Sequence, residues 1–153
     1  MNSSSTVRPA RPSDATAIEL LYRQLVDQPT VCVLAARIQA ISEDARTSLL
    51  VCDIEGVAKA TVLVSLCSDV MYNDQPFAVV ENLVVDVAHR NQGLGEALLQ
   101  HVEEFCTSSD CSKIMLLSSS IRVDAHRFFE RLGFRSDTKR GFVKYRRQFA
   151  RVQ

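Results

Sequence analysis

The chain predicts a mixed α/β (α+β) fold, an antiparallel strand meander that runs into a β-α-β unit. Three observations lead there. Residues 48–54 and 57–66 are strand-like runs joined by Asp53-Ile54-Glu55-Gly56, a polar, glycine-ended stretch that reads as a hairpin turn. Residues 77–86 form a long, mostly apolar and β-branched strand. Beyond it Leu94, Ala97, Leu98, Val102 and Phe105 recur at spacings of three and four, a helix over 93–106, and residues 113–119 supply the strand that completes the unit.

The remaining elements follow in order. Ser13 or Asp14 is placed to cap a helix running to Val26, and a second helical piece covers 32–41. Residues 68–76 read as a loop. After the 113–119 strand come a helix over 123–132 and a last hairpin of 134–137 with 142–147. There are no repeats or linkers, only a frayed start at 3–5, and 153 residues suit one domain over 1–153.

Composition narrows the function. Apolar residues make up 46% and charged residues 24%, ordinary for a globular protein. No apolar run approaches the ~20 residues that span a bilayer, and residues 1–6 lack the features of a secretory signal, so no membrane partner is expected. Cys32, Cys52, Cys67, Cys106 and Cys111 are odd in number and form no Cys-x-x-Cys; they read as reduced, buried small hydrophobes of a cytoplasmic protein, and no metal site is expected. Net charge is zero, yet residues 112–153 carry eleven Lys/Arg against three Asp/Glu. That basic segment suits an anionic ligand or a solvated face. Nucleic acid is a poor third reading, since no stacking-aromatic or helix-turn-helix signature accompanies it.

The most informative stretch is Arg90-Asn91-Gln92-Gly93-Leu94-Gly95, between the long strand and its helix. A glycine turn entering a helix aims unsatisfied N–H groups and the positive end of the helix dipole at one spot, and such a spot binds phosphate. A Walker loop is excluded because Glu96-Ala97 follows Gly95, and a dinucleotide fingerprint because Leu98 stands where a small residue is needed. The hexamer resembles instead the Arg/Gln-x-x-Gly-x-Gly/Ala pyrophosphate loop of the GNAT superfamily of acetyl-CoA-dependent N-acetyltransferases. Ala125-His126-Arg127-Phe128-Phe129-Glu130-Arg131-Leu132-Gly133-Phe134 resembles that family's later signature, Ala-x-x-Phe-Tyr-x-x-x-Gly-Phe. Val7-Arg8-Pro9-Ala10-Arg11-Pro12-Ser13-Asp14 looks like its first strand leading into its first helix.

The resemblance implies the GNAT acyl-CoA N-acyltransferase fold, in which the strands at 77–86 and 113–119 run parallel and splay apart to admit the pantetheine arm of acetyl-CoA. Arg90, Asn91, Gln92, Gly93, Leu94, Gly95 and Glu96 would cradle the pyrophosphate. Backbone groups of Leu83, Val84 and Val85 would pair the pantetheine amides and polarise the thioester oxygen. Ser119, His126, Phe128 and Arg131 complete the implied cofactor set.

Acetyl transfer to an amine needs a base, because such amines are mostly protonated at neutral pH. Glu81 interrupts the apolar strand beside the expected slot, where partial burial would tune it for that role; a structural glutamate is the competing reading. The acid departs from the family pattern: Phe129 stands where the usual tyrosine would protonate the leaving thiolate, and Arg122 replaces a common asparagine. Ser118, Ser119, His126 and Tyr72 are the substitutes. No cysteine has surroundings that favour a covalent route, so direct transfer is expected. Residues 122–129 are similar to segments of small bacterial relatives, including aminoalkylphosphonate acetyltransferases. The leading expectation is therefore a transferase acting on a small-molecule primary amine, with a homodimer as the family prior. A protein or peptide acetyltransferase and a non-catalytic acetyl-CoA-binding module are the alternatives.

Overall fold

The computed structural model describes residues 4–150. The chain divides into two compact units, Met1–Leu116 and Leu117–Gln153. The first holds one five-stranded sheet in the order β1-β2-β3-β4-β5, built from β1 (Ser5–Pro9), β2 (Thr47–Ile54), β3 (Val57–Cys67), β4 (Phe77–Val85) and β5 (Ile114–Leu116). The first four strands pair antiparallel, and β5 joins β4 in parallel. The expected meander and β-α-β unit are both present. Ser5 already belongs to β1, so the frayed start expected at 3–5 does not extend to it, and Ser3 lies outside the described residues.

Sequence alternation decides which strand residues face which helix. On one face of the sheet, Leu49, Val51 and Ala58 form a core with Ile18 of α1 (Ala15–Leu25) and Ile38 of α2 (Ala35–Ser42). Leu50 and Cys52, of opposite parity on β2, are also buried, and α3 (Leu94–Ser108) packs on the sheet with Leu94, Leu98, Leu99, Val102 and Cys106 buried. The β2–β3 turn forms where Asp53-Ile54-Glu55-Gly56 predicts it. Glu55 (φ 52°) and Gly56 (φ 85°) are both left-handed, the type I′ geometry that matches strand twist.

α3 ends in a Schellman motif: Asp110 is left-handed (φ 56°), Asp110 N–H donates to Thr107 O at 3.1 Å, and Cys111 N–H donates to Cys106 O at 2.9 Å. The motif brings the flanking side chains together, here the Cys106 and Cys111 thiols. Burial, with Cys111 adjacent, pushes the Cys106 thiol up to about 12, and burial also raises Cys111 and Cys52. These thiols are protonated near neutral pH, which leaves them poor nucleophiles. Cys32 departs from the expectation of burial: it is exposed, ahead of α2.

The second unit contains α4 (Val123–Arg131), which also stops in a Schellman motif. Gly133 (φ 92°) donates to Glu130 O at 3.0 Å, and Phe134 N–H donates to Phe129 O at 3.1 Å. The hairpin expected over 134–147 is not formed; the described residues there make no strand. Phe142 is 88% exposed and the segment is dense in Lys and Arg, so it offers no apolar face, and a two-stranded ribbon without one is marginal. The strand expected over 113–119 is likewise shortened to β5.

A buried ion network fastens the start of the chain. Arg8 on β1 donates to both carboxylate oxygens of Asp14, at 2.8 and 2.9 Å, and to Asp53 at the end of β2, at 2.9 Å. Asp14 also accepts Arg11 N–H at 2.7 Å, and Asp53 accepts Gly56 N–H at 2.7 Å. Asp14 thus occupies the expected cap position but spends its oxygens on Arg8 and the preceding turn. Burial of Asp14 pushes its pKa up, but the hydrogen bonds from Arg8 and Arg11 and the nearby positive charge outweigh it and hold the carboxyl below its usual value; the Arg8 guanidinium is raised in turn.

Removing Arg8 leaves the buried Asp14 carboxylate with the Arg11 N–H but without its charge partner, so Arg8→Ala is expected to cost about 3 kcal/mol in urea unfolding, the lower end for a broken buried pair. Because the folded Asp14 pKa lies below its unfolded value, this stabilisation is complete above that value and is lost as pH falls below about 4. Urea midpoints at pH 7 and pH 3 should therefore differ much less in Asp14→Ala than in the unmodified protein.

Candidate active site

The site is organised by a break in β4. Thr61 pairs with Val84 and Leu63 with Glu81, so Asn82 and Leu83 together oppose Val62. Such a bulge inserts an extra residue and bends its strand. Asn82 takes the left-handed conformation (φ 56°), which asparagine tolerates better than most residues. The Tyr22 hydroxyl of α1 lies near its side chain; burial raises the Tyr22 pKa and Asn82 partly lowers it.

The bulge also ends the parallel ladder. Ala78, Val79 and Val80 pair with Ile114, Met115 and Leu116, and β5 stops there. Glu81 to Val85 therefore run on with no ladder partner on the β5 side among the described residues. Leu83 and Val85 are half-buried, Val84 is buried, and Glu81 is exposed. The partial burial expected for Glu81 is thus absent.

Beyond β4 a 3-10 turn (Val87–His89) leads to the Arg90–Gly95 loop, the candidate anion loop. Arg90 Nε donates to Val85 O at 3.3 Å, folding its side chain back over the strand end. Asn91 (φ 60°) and Gly93 (φ 83°) are both left-handed. Gly93 is the N-cap of the 15-residue α3 and supplies no side-chain acceptor, so the first N–H groups of the helix remain without an internal partner. Nothing lies within 4 Å of where a Cβ would stand on Gly93; the glycine meets a dihedral requirement, and the space over it is open. Leu94 and Gly95 are buried, whereas Asn91, Gln92 and Glu96 are exposed. An uncapped helix N-terminus facing open space suits a pyrophosphate.

The turn itself is tied down by its own Asp86 and His89 and by Gln24 of α1. Gln24 of α1 donates through Nε2 to Asp86 at 2.9 Å and accepts Val87 N–H through Oε1 at 2.9 Å, and Asp86 also holds His89 Nδ1 at 2.7 Å. These bonds from Gln24 and His89 keep the Asp86 carboxyl below its usual value. Nothing in the sequence marks Gln24, which looks like any polar residue on a helix surface.

Four expected cofactor residues, Ser119, His126, Phe128 and Arg131, lie in the second unit. His126 Nε2 donates to Ser119 O at 2.8 Å, so the imidazole fastens the turn that precedes α4. Arg131 stacks over the Phe128 ring at 5.5 Å. Phe129, in the position of the usual tyrosine, packs against Phe128 (5.4 Å) and Phe134 (6.0 Å). Of the substitute acids, Tyr72 is 57% exposed in its loop, and Ser118 Oγ is buried with no hydrogen-bond partner among the described residues. No group of His, Cys, Asp and Glu among the described residues has a metal-binding arrangement, and no helix among them is long and apolar enough to cross a membrane.

Comparison with known proteins accords with this geometry. A glucosamine 6-phosphate N-acetyltransferase of Trypanosoma brucei brucei is 40% identical over 57 residues, a match that spans 37% of each chain. In structure, glucosamine-6-phosphate N-acetyltransferase from Arabidopsis thaliana superimposes with a TM-score of 0.81 at 24% identity, covering 94% of this chain and 99% of that one. A Trypanosoma brucei acetyltransferase gives 0.78 at 24%, covering 93% and 100%. The model of the acetyltransferase (GNAT) family matches residues 16–134, across both units. With its bulged strand, open glycine loop and α3 N-terminus inside that match, the chain belongs to the GNAT family of N-acetyltransferases.

Proposed function

We propose that the chain transfers an acetyl group from acetyl-CoA to the primary amine of a small molecule, and that residues 1–153 act as one acetyltransferase domain. The observation that carries this reading is the sequence of a bulged strand with a free edge, an open left-handed Gly93 and an uncapped 15-residue helix. In this reading the N–H groups at 92–96 hold the pyrophosphate, and the Leu83 to Val85 backbone pairs the pantetheine arm and polarises the thioester carbonyl. Bound acetyl-CoA supplies the activated acyl group.

Glu81, exposed beside the bulge, takes the proton from the incoming amine, directly or through water. Two relatives named for glucosamine 6-phosphate put amino sugars first among acceptors to try. Phe129 favours a second reading, a module that binds acetyl-CoA without turnover, because an aromatic ring without a proton donor stands where the family commonly has a tyrosine.

Incubation with acetyl-CoA and a panel of amines, followed by free-thiol release, separates the readings. Release with amino sugars or other small amines is expected. Release only with lysine peptides would move the assignment to a protein acetyltransferase, and thermal stabilisation by acetyl-CoA without release to a binding module. Gly93→Val forces a β-branched residue into the left-handed region. It is expected to abolish acetyl-CoA binding by calorimetry while keeping a cooperative thermal transition; unchanged affinity would sink the loop assignment. Glu81→Gln is expected to lower the rate about 10²–10⁴-fold. A pH–rate profile matching that of the unmodified enzyme would remove Glu81 from the mechanism.

A further inference from the structure

Between β4 and the anion loop the chain turns once, and two of the bonds that hold the turn come from a single side chain of another element. Gln24 projects from the last turn of α1. Its Oε1 takes the Val87 N–H at 2.9 Å and its Nε2 donates to one Asp86 oxygen at 2.9 Å; the other Asp86 oxygen holds His89 Nδ1 at 2.7 Å. The main chain adds Asp86 N–H to Lys59 O and His89 N–H to Asp86 O, both 2.8 Å. Gln24 is exposed and Asp86 lies just outside β4, so neither bond is needed to build α1 or the strand. What they fix is the direction in which the chain leaves β4, and hence where the loop presents its N–H groups.

We propose that Gln24 is a positioning residue for the anion loop, holding the 86–89 turn so that the N–H groups at 92–96 converge on the pyrophosphate. The proposal rests on the acetyl-CoA reading above and adds a contribution from α1 to cofactor affinity. The chemistry at position 24 is strict. Val87 N–H needs an acceptor and the Asp86 carboxylate needs a donor, and a carboxamide presents both from one side chain. A glutamate there would still accept from Val87 but would set its charge against Asp86. Exchanging the pair, Gln24→Glu with Asp86→Asn, restores complementarity: the amide introduced at position 86 donates to the carboxylate introduced at position 24, and its carbonyl accepts from His89.

Coenzyme A affinity by calorimetry, amide hydrogen exchange over residues 86–96, melting temperature and steady-state kinetics test this together. Q24E is expected to weaken coenzyme A binding at least tenfold and to raise the KM for acetyl-CoA by a similar factor. Its kcat and amine KM should stay within twofold, and exchange in the loop should quicken. The Q24E/D86N pair should return affinity and exchange to within threefold of the unmodified protein.

Unchanged exchange in Q24E, or quickened exchange with coenzyme A bound as tightly as before, overturns the proposal. So does a double variant no better than Q24E, or a melting-temperature loss that accompanies an equal fall in kcat. If the unmodified protein binds no coenzyme A, the acetyl-CoA reading fails, while the exchange comparison still decides whether Gln24 holds the loop.

Discussion

The left-handed Asn82 in β4 sets the course of everything downstream of it. Asn82 and Leu83 together oppose Val62, the kind of bulge that bends a strand. The parallel ladder stops at Val80 and Leu116, and Glu81 to Val85 keep one edge free. The bulge turns on one backbone conformation, that of Asn82, next to the Tyr22 hydroxyl of α1. An asparagine at this position does two things at once: it accepts the left-handed backbone and offers a side chain to fasten it.

Past the bulge, α3 converts direction into chemistry. A helix concentrates unpaired N–H groups at its first turn, and what that turn can bind depends on where it points and whether something already caps it. Gly93 removes the cap, and the 86–89 turn sets the aim. At the other end the Asp110 Schellman motif turns the chain back toward β5. Ser112 N–H to Pro76 O and Ala78 N–H to Lys113 O, both 2.9 Å, then dock the return onto the start of β4. The β-α-β unit is thus fixed at both helix ends, by glycine geometry at one and by a left-handed aspartate at the other.

Legibility in the sequence followed how local each determinant was. The β2–β3 hairpin was readable because Glu55-Gly56 carries its own dihedral preference, and α3 because its apolar stripe is continuous. The glycine turn into α3 was readable for the same reason, Gly93 taking the left-handed backbone. The shortening of β5 was not, since it depends on a bulge in a neighbouring strand that its own residues do not encode. Neither was Gln24, whose partners lie more than sixty positions away. The basic segment at 134–147 has enough aromatic residues to read as strands, but Phe142 and Tyr145 are exposed and give a hairpin nothing to pack on. Glu81 was placed correctly on its strand, but its exposure was not legible there.

The downstream signature has a physical reading of its own, and that reading limits what it says about catalysis. In Ala-x-x-Phe-Phe-x-x-x-Gly-Phe, the glycine takes the left-handed position that ends α4, and the phenylalanines five apart, Phe129 and Phe134, are the two residues a Schellman motif brings into contact. The spacing is what a helix terminator requires. Phe129 satisfies that requirement as well as a tyrosine does, because the ring makes the contact and the hydroxyl does not. Selection for a folded helix end and selection for a proton donor therefore act on different atoms of the same residue. Loss of the hydroxyl removes the second without disturbing the first. A thiol leaving group with a pKa near 8.5 needs little help to depart at neutral pH, so the reaction proposed here tolerates that loss. An amine that must shed a proton before attack has no such latitude. The base is accordingly the more demanding half of the proposed chemistry, and the proposal gives it to Glu81 of β4.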